Sequence, residues 1–353
     1  MFYAGAEQRA VPGHRETGVT VERTEVPDRD RRSATRSPAR MARMARIVGL
    51  SLLVAALLTT PANCRTTNTT PAPLRIATGS PGAVYYAYGQ AIAELIRAEL
   101  PQMAPEVLVT AASAHNARLL STGHAEVGFM QADVAAVSWA SSPVPLAAIA
   151  RLYDDYLHLV VRADRDMSQL GDLRATNVSL GPAGSGTEIT ARRLLIVAGL
   201  DPDRDVVVHR LDLEQSAAAL RAGEIDAFFF SGGLPVAAVS RLAADLEIRL
   251  VDLGEWVGAL REAHGEAYLM RDIQTSVYGT ERVATIAVPN YLVAPAAMPD
   301  DQAFMLARLL IERREMLART HPAAQRLNRR VAISTHPLPL HPGAARYYRD
   351  SKI

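Results

Sequence analysis

One cysteine, Cys64, stands in 353 residues, so no disulfide can form within the chain. Lysine is as scarce: the sole one is Lys352, next to the last residue. The body of the chain therefore has neither a Schiff-base lysine nor the lysine of a phosphate-binding P-loop. The nine histidines are scattered, with no H-E-x-x-H or other tight ligand spacing, so no metal centre is expected. His158, on an apolar strand, reads as a core histidine. No nucleophile is spaced with a base, and the chain reads as a non-enzyme without a cofactor. Of 38 basic and 37 acidic residues, positions 1–62 hold ten arginines and six acids, which leaves 28 against 31. No basic patch speaks for nucleic acid. Long apolar runs are missing too: Ile47–Leu58 spans about a dozen residues, too short for a bilayer.

That run sits behind Arg43 and Arg46 and is followed by Thr60-Pro61-Ala62, the layout of a secretory signal over residues 41–62. Residues 1–40 are rich in arginine and acids and poor in apolar periodicity, and read as a disordered or mis-annotated extension. Residues 63–73 read as a Thr/Pro linker. Cys64 directly after the apolar run resembles the acylated cysteine of a bacterial lipoprotein, although Asn63 stands where a small residue is usual. The expected location is extracytoplasmic: secreted, or tethered to the outer face of the cytoplasmic membrane.

Two glycine-rich turns organise the remainder. Leu74-Arg-Ile-Ala-Thr-Gly-Ser-Pro-Gly82 runs into Ala83–Ile96, and Val178-Ser-Leu-Gly-Pro-Ala-Gly-Ser-Gly-Thr187 runs into Glu188–Ile196. Each reads as strand, turn, helix. Such a turn leaves free N–H groups at a helix N-terminus, where the helix dipole also favours an anion. A second similarity links the halves. Arg118–Met130 and Leu220–Phe230 each read as a helix closed by a glycine (Gly123, Gly223), an acid and an apolar strand. Polar turns Gln131–Asp133 and Ser231–Pro235 then open another helix. This alternation predicts a parallel sheet with helices on both faces and a ligand site beyond the strands' carboxyl ends. The strands Leu157–Arg162 and Val283–Val288 are natural crossings between the halves, and a helix over Asp300–Arg319 is expected to pack on the first.

Several segments, in this order, resemble the TAXI family of solute-binding proteins, receptors of one branch of the tripartite ATP-independent periplasmic (TRAP) transporters. They are Thr78–Tyr86, Val127–Asp133, Tyr156–Arg162, Gly184–Glu188, Gly223–Phe230 and Pro342–Tyr348. The resemblance covers residues 74–350. It implies an α/β fold of the type II periplasmic-binding-protein kind, with two lobes, a hinge and the ligand between them. Lobe 1 is placed at 74–160 with 286–353, and lobe 2 at 161–285. It also implies TRAP-type membrane permease subunits as partners, a monomeric receptor, and a small carboxylate ligand such as glutamate or a dicarboxylate. A secreted or tethered ligand-binding module serving a sensor or signalling partner is the alternative on the same fold.

The candidate ligand residues follow from the turns. They are Gly79 and Ser80 in the first, and Ser185, Gly186 and Thr187 in the second, the latter also readable as an ordinary helix start. Thr187-Glu188 replaces the Lys-Ser/Thr pair of a P-loop, and Ala183 and Thr187 replace the glycines of a nucleophile elbow, so neither chemistry is expected. Tyr85 and Tyr86 are candidates to line the cleft, whereas Tyr88 lies on the core stripe of its helix. Gln131 can orient a carboxylate or an amine; Asp133 is either a helix cap or a ligand contact; Phe230 lies nearest its turn, and Tyr153 is a further candidate. Arg192 and Arg193 read as solvated.

Overall fold

The computed structural model describes residues 73–351. The extension 1–40, the signal 41–62, Cys64 and nearly all of the linker lie outside the described residues.

The first half runs β1 (Leu74–Ala77), α1 (Val84–Glu99), β2 (Pro105–Leu108), α2 (Ser113–Ser121), β3 (Val127–Gln131) and α3 (Ala132–Ser141). A long strand, β4 (Leu146–Arg162), leads to the second half. That half repeats the order as β5 (Asn177–Ser179), α4 (Gly186–Val197), β6 (Val207–His209), α5 (Leu213–Ala222), β7 (Ala227–Gly232) and α6 (Ala237–Asp245). Then come β8 (Ile248–Leu250), α7 (Val257–His264), β9 (Leu269–Ile273), α8 (Thr275–Tyr278) and the second long strand, β10 (Val283–Pro295). Helices α9 (Asp300–Glu312), α10 (Arg314–Thr320), α11 (Arg329–Ala332) and α12 (Pro342–Asp350) complete the chain. The helix expected over 300–319 is thus two helices, separated at Arg313, which leaves helical geometry at φ −105° and ψ 16°.

The strand order is β2-β1-β3-β10-β4-β7-β5-β6. β1 pairs parallel with β2 and β3, and β5 pairs parallel with β6 and β7, so each half is the same right-side-up unit. The long strands join them antiparallel. β4 pairs with β10 from Leu146 to Tyr156 and with β7 from Tyr156 to Val161. β10 likewise pairs with β3 near one end and with β9 near the other. This is the mixed sheet of a two-lobe type II binding protein, with both long strands crossing between lobes.

Apolar periodicity explains the packing. Val84, Tyr88, Ile92, Leu95 and Ile96 recur at helical spacing on α1 and are buried. They meet β1, the first part of β4, the end of β10 and helices α9, α10 and α12 in one core. A second core, around Phe228, Val239, Leu242 and Leu250, lies in the second half. The third spans both halves from Met130 to Leu194. Gly123 (φ +70°) and Gly223 (φ +74°) end matching helices in the left-handed conformation that glycine tolerates.

Candidate functional site

The two glycine turns, the loop before α2, and the carboxyl ends of β3 and β7 converge on a cleft of about 270 Å³. That is the low end for a ligand pocket and fits a small solute. Three helices open onto it. No side chain caps α1, and the N–H groups of Val84, Tyr85 and Tyr86 meet no acceptor among the described residues. In α4 the Ser185 hydroxyl accepts from the Glu188 N–H at 3.1 Å, but the N–H groups of Gly186 and Thr187 are left open. Helix α2 is uncapped as well, and Ala112 before it holds φ +66°, a strained conformation for a residue with a Cβ. Open N–H groups and aligned dipoles from both halves make the cleft attractive to an anion without any basic side chain.

None of the described residues lining the cleft is Lys, Arg or His; the charged ones are Asp155, Asp212 and Glu214. Asp212 caps α5, accepting from the Gln215 N–H at 2.9 Å, and Glu214 pairs with Arg241 at 2.5 Å. Asp155 is different. It is 4% exposed, and only one of its oxygens is engaged: Oδ2 accepts from Gln131 Nε2 at 3.1 Å, while Oδ1 makes no hydrogen bond of normal geometry. Burial raises its pKa to about 7, against the opposing pull of the Asn290 and Gln131 amides. Its neighbour Asp154 points to the other face of β4 and meets Arg151 at 2.5 Å and Arg271 at 3.5 Å. Two more cleft atoms are buried without partners among the described residues, Gln131 Oε1 and the Tyr153 hydroxyl.

The lobes meet around this floor. Gln131 Nε2 also donates to Ser231 Oγ at 2.6 Å, and the Ala114 N–H donates to the Gly184 carbonyl at 3.2 Å. Gly186 is required by the close approach: a Cβ there would lie 1.7 Å from Gln131 Oε1. Behind the cleft, Asp133 Oδ2 is shared by Arg193 (3.0 Å), the Tyr268 hydroxyl (3.0 Å) and Thr190 (3.2 Å). This ties α3 of the first half to α4 of the second.

Among the residues singled out by the sequence, Gly79, Ser80, Tyr85, Gln131, Tyr153, Ser185, Gly186, Thr187 and Phe230 line the cleft. Tyr85 stacks on Phe129 with ring centroids 5.1 Å apart and donates to Asn290 Oδ1; burial raises its pKa well above normal. Thr187 Oγ1 accepts from the Ser231 N–H at 3.1 Å, so it braces the second polar turn as well as lining the cleft. Three expectations are corrected. Tyr86 does not line the cleft: it points along its helix, where Gln90 donates to its hydroxyl at 2.9 Å. Asp133 neither lines the cleft nor accepts as an N-cap; it sits inside the first turn of α3, bonded to its own Val134 N–H and to Arg193. Arg193 is therefore not solvated, its side chain being only 18% exposed. Sequence reasoning passed over Asp155 and Ser113, and took Ser231 only as the start of the second polar turn. The signal for Asp155 was two adjacent acids inside an apolar strand, where period-two alternation must turn one of them inward. His158 is a core residue, with Nδ1 at 2.8 Å from the Tyr156 carbonyl and Nε2 at 3.0 Å from the Tyr278 hydroxyl.

A two-lobed sheet with a polar cleft between its lobes is the architecture of the type II binding-protein fold. Two binding proteins are among the solved structures to which the chain is similar. A binding protein component of a phosphonate ABC transporter from Pseudomonas aeruginosa is similar at TM-score 0.51 and 9% identity, over 72% of this chain and 79% of that one. The periplasmic aliphatic sulphonate binding protein SsuA from Escherichia coli is similar at TM-score 0.47 and 16% identity, over 79% and 83%. The chain belongs to the NMT1-like family, whose model matches residues 76–351. Among the described residues no helix is long and apolar enough to cross a membrane.

Proposed function

We propose that this protein is an extracytoplasmic solute receptor of the TRAP-TAXI kind, which captures a small organic acid and presents it to TRAP-type permease subunits. It binds its ligand and does not convert it. One observation carries the reading: unpartnered helix N–H groups from both halves converge on one small cleft. An anion there completes donors that the fold leaves open, and it can do so only when the lobes are together. The lobes that close are 74–160 with 286–353 and 161–285. Residues 41–62 would direct export and Cys64 would tether the monomeric receptor.

A panel of small carboxylates in titration calorimetry tests the ligand class, with small-angle scattering on the same samples. The expected result is binding of an organic acid with a smaller radius of gyration in the bound state. Tight binding of sugars and of no organic anion removes the proposal. Intact mass of protein from native membranes tests the tether, which predicts a lipid adduct on Cys64 that Cys64→Ser abolishes.

A further inference from the structure

The open helix ends account for an anionic group on the ligand but leave the floor of the cleft unexplained. Asp155, Gln131 and Tyr153 are each at least nine-tenths buried, and each leaves one polar atom without a partner among the described residues: Oδ1, Oε1 and the hydroxyl. Gln131 Oε1 can only accept a hydrogen bond, and an ionised Asp155 likewise. A buried carboxylate needs a cation or a proton. The described residues lining the cleft supply no cation.

We propose that the ligand itself brings the cation: a protonated amine seated against Asp155 Oδ1, with Gln131 Oε1 and the Tyr153 hydroxyl as its further partners. The proposal rests on the receptor reading above and narrows it, so the ligand is an amino acid or a close amino-carboxylate rather than a dicarboxylate. Its anionic end meets the N–H groups at the starts of α1 and α4. An ammonium carries three donors, which matches the open acceptors, and its charge offsets a carboxylate that burial otherwise penalises. A dicarboxylate would place a second negative charge beside Asp155. That arrangement holds only if Asp155 is protonated, and even then Gln131 Oε1 stays unserved.

The two arrangements differ in pH dependence. The titratable groups around Asp155 are Tyr85 on α1, Tyr153 and Asp154 on β4 and Asp133 on α3, with Asp212 and Glu214 lining the mouth. The tyrosines are pushed well above their usual range. Asp155, held near 7, changes state between pH 5.5 and 8.5, roughly one and a half units either side of it. An ammonium ligand needs it ionised, so affinity falls as pH drops through about 7. A dianion needs it protonated, so affinity rises over the same interval.

The test uses matched pairs differing only in the amine, titrated into the mature protein by calorimetry: L-glutamate with glutarate, L-alanine with propionate, L-leucine with 4-methylpentanoate, and taurine with ethanesulfonate. The expected result is that whichever skeleton binds, its amine-bearing member binds at least about 100-fold tighter, and that Asp155→Asn erases that preference in a protein that still melts cooperatively. A hundredfold is about the worth of one charge-assisted hydrogen-bonded contact. Taurine binding with no amino acid bound would end the carboxylate reading and support the amine site. Equal or tighter binding of the amine-free member, or affinity that rises on acidification, overturns the proposal. Any molecule released by denaturing protein from its own cells gives a separate check: reaction with an amine-specific label supports the site, and a released ligand lacking an amine overturns it.

Discussion

Asp155→Asn should stabilise the ligand-free protein at neutral and alkaline pH while disabling its cleft. The carboxyl titrates near 7 in the fold against a reference of 3.8, because it is buried with one oxygen unserved. A folded-state pKa above the unfolded one means that the fold prefers the protonated acid. Stability from this group is therefore whole below about 4 and declines as pH rises through about 7. About three units at 1.36 kcal/mol each set the penalty at pH 8 near 4 kcal/mol as an upper figure. Asparagine is close in shape, can still accept from Gln131 and carries no charge. The gain should be about 1–4 kcal/mol, or roughly 3–10 °C in Tm for a body of this size. Thermal melts by circular dichroism, at intervals from pH 4 to pH 8 on protein stripped of ligand, read it directly. The wild type should lose Tm relative to the variant as pH rises, with the two curves meeting near pH 4. A variant that melts lower than wild type at pH 8, or a gap that does not change with pH, refutes the reasoning. Such a gain is the usual trade when a site keeps a group that the fold alone would not choose.

Three further outcomes follow from the same geometry. Arg193→Met leaves the fully buried Asp133 carboxylate without its ion pair, and should cost about 3–5 kcal/mol in urea unfolding, with Tyr268 and Thr190 retaining partial cover. Thr187→Val removes the acceptor of the Ser231 N–H along with a cleft hydroxyl, and should weaken binding of the best carboxylate by about 1–3 kcal/mol in calorimetry. Gly186→Ala places a methyl against the Gln131 amide, which must turn away from Asp155 and Ser231; calorimetry should show weakened binding of the best ligand.

The duplicated architecture was legible because its signals are local. A glycine turn, an apolar stripe at 3.6 spacing and a closing glycine each depend on neighbours in sequence, and they recur in matching order in both halves. The turn residues Gly79, Ser80, Ser185, Gly186 and Thr187 were legible for that reason. Side-chain direction was less so. Tyr85 and Tyr86 differ by one position, about 100° around the helix, and that separates a cleft hydroxyl from one held by Gln90. Asp133 looked like a cap because it opens a helix; its partner Arg193 lies sixty positions away, a contact that only tertiary packing makes. The split of the 300–319 helix at Arg313 had no glycine or proline to announce it.

The missing cation in the cleft is a matter of position, not of supply. Three acids lie near the junction of the lobes, and arginine is the commonest charge in the chain's basic set. Asp133 has Arg193, and Asp154 has Arg151 and Arg271. Only Asp155, the one of the three that lines the cleft, has no cationic partner among the described residues. The same Gln131 amide that donates to it also donates to Ser231 of the other half. The charge state of Asp155 is thereby joined to a contact between lobes. An ionised Asp155 is the better acceptor and orders that amide, whereas a protonated one loosens its hold. A ligand that keeps Asp155 ionised would strengthen this bridge between the halves, so under the proposed closure recognition and closing would draw on one hydrogen-bonded chain from Asp155 through Gln131 to Ser231.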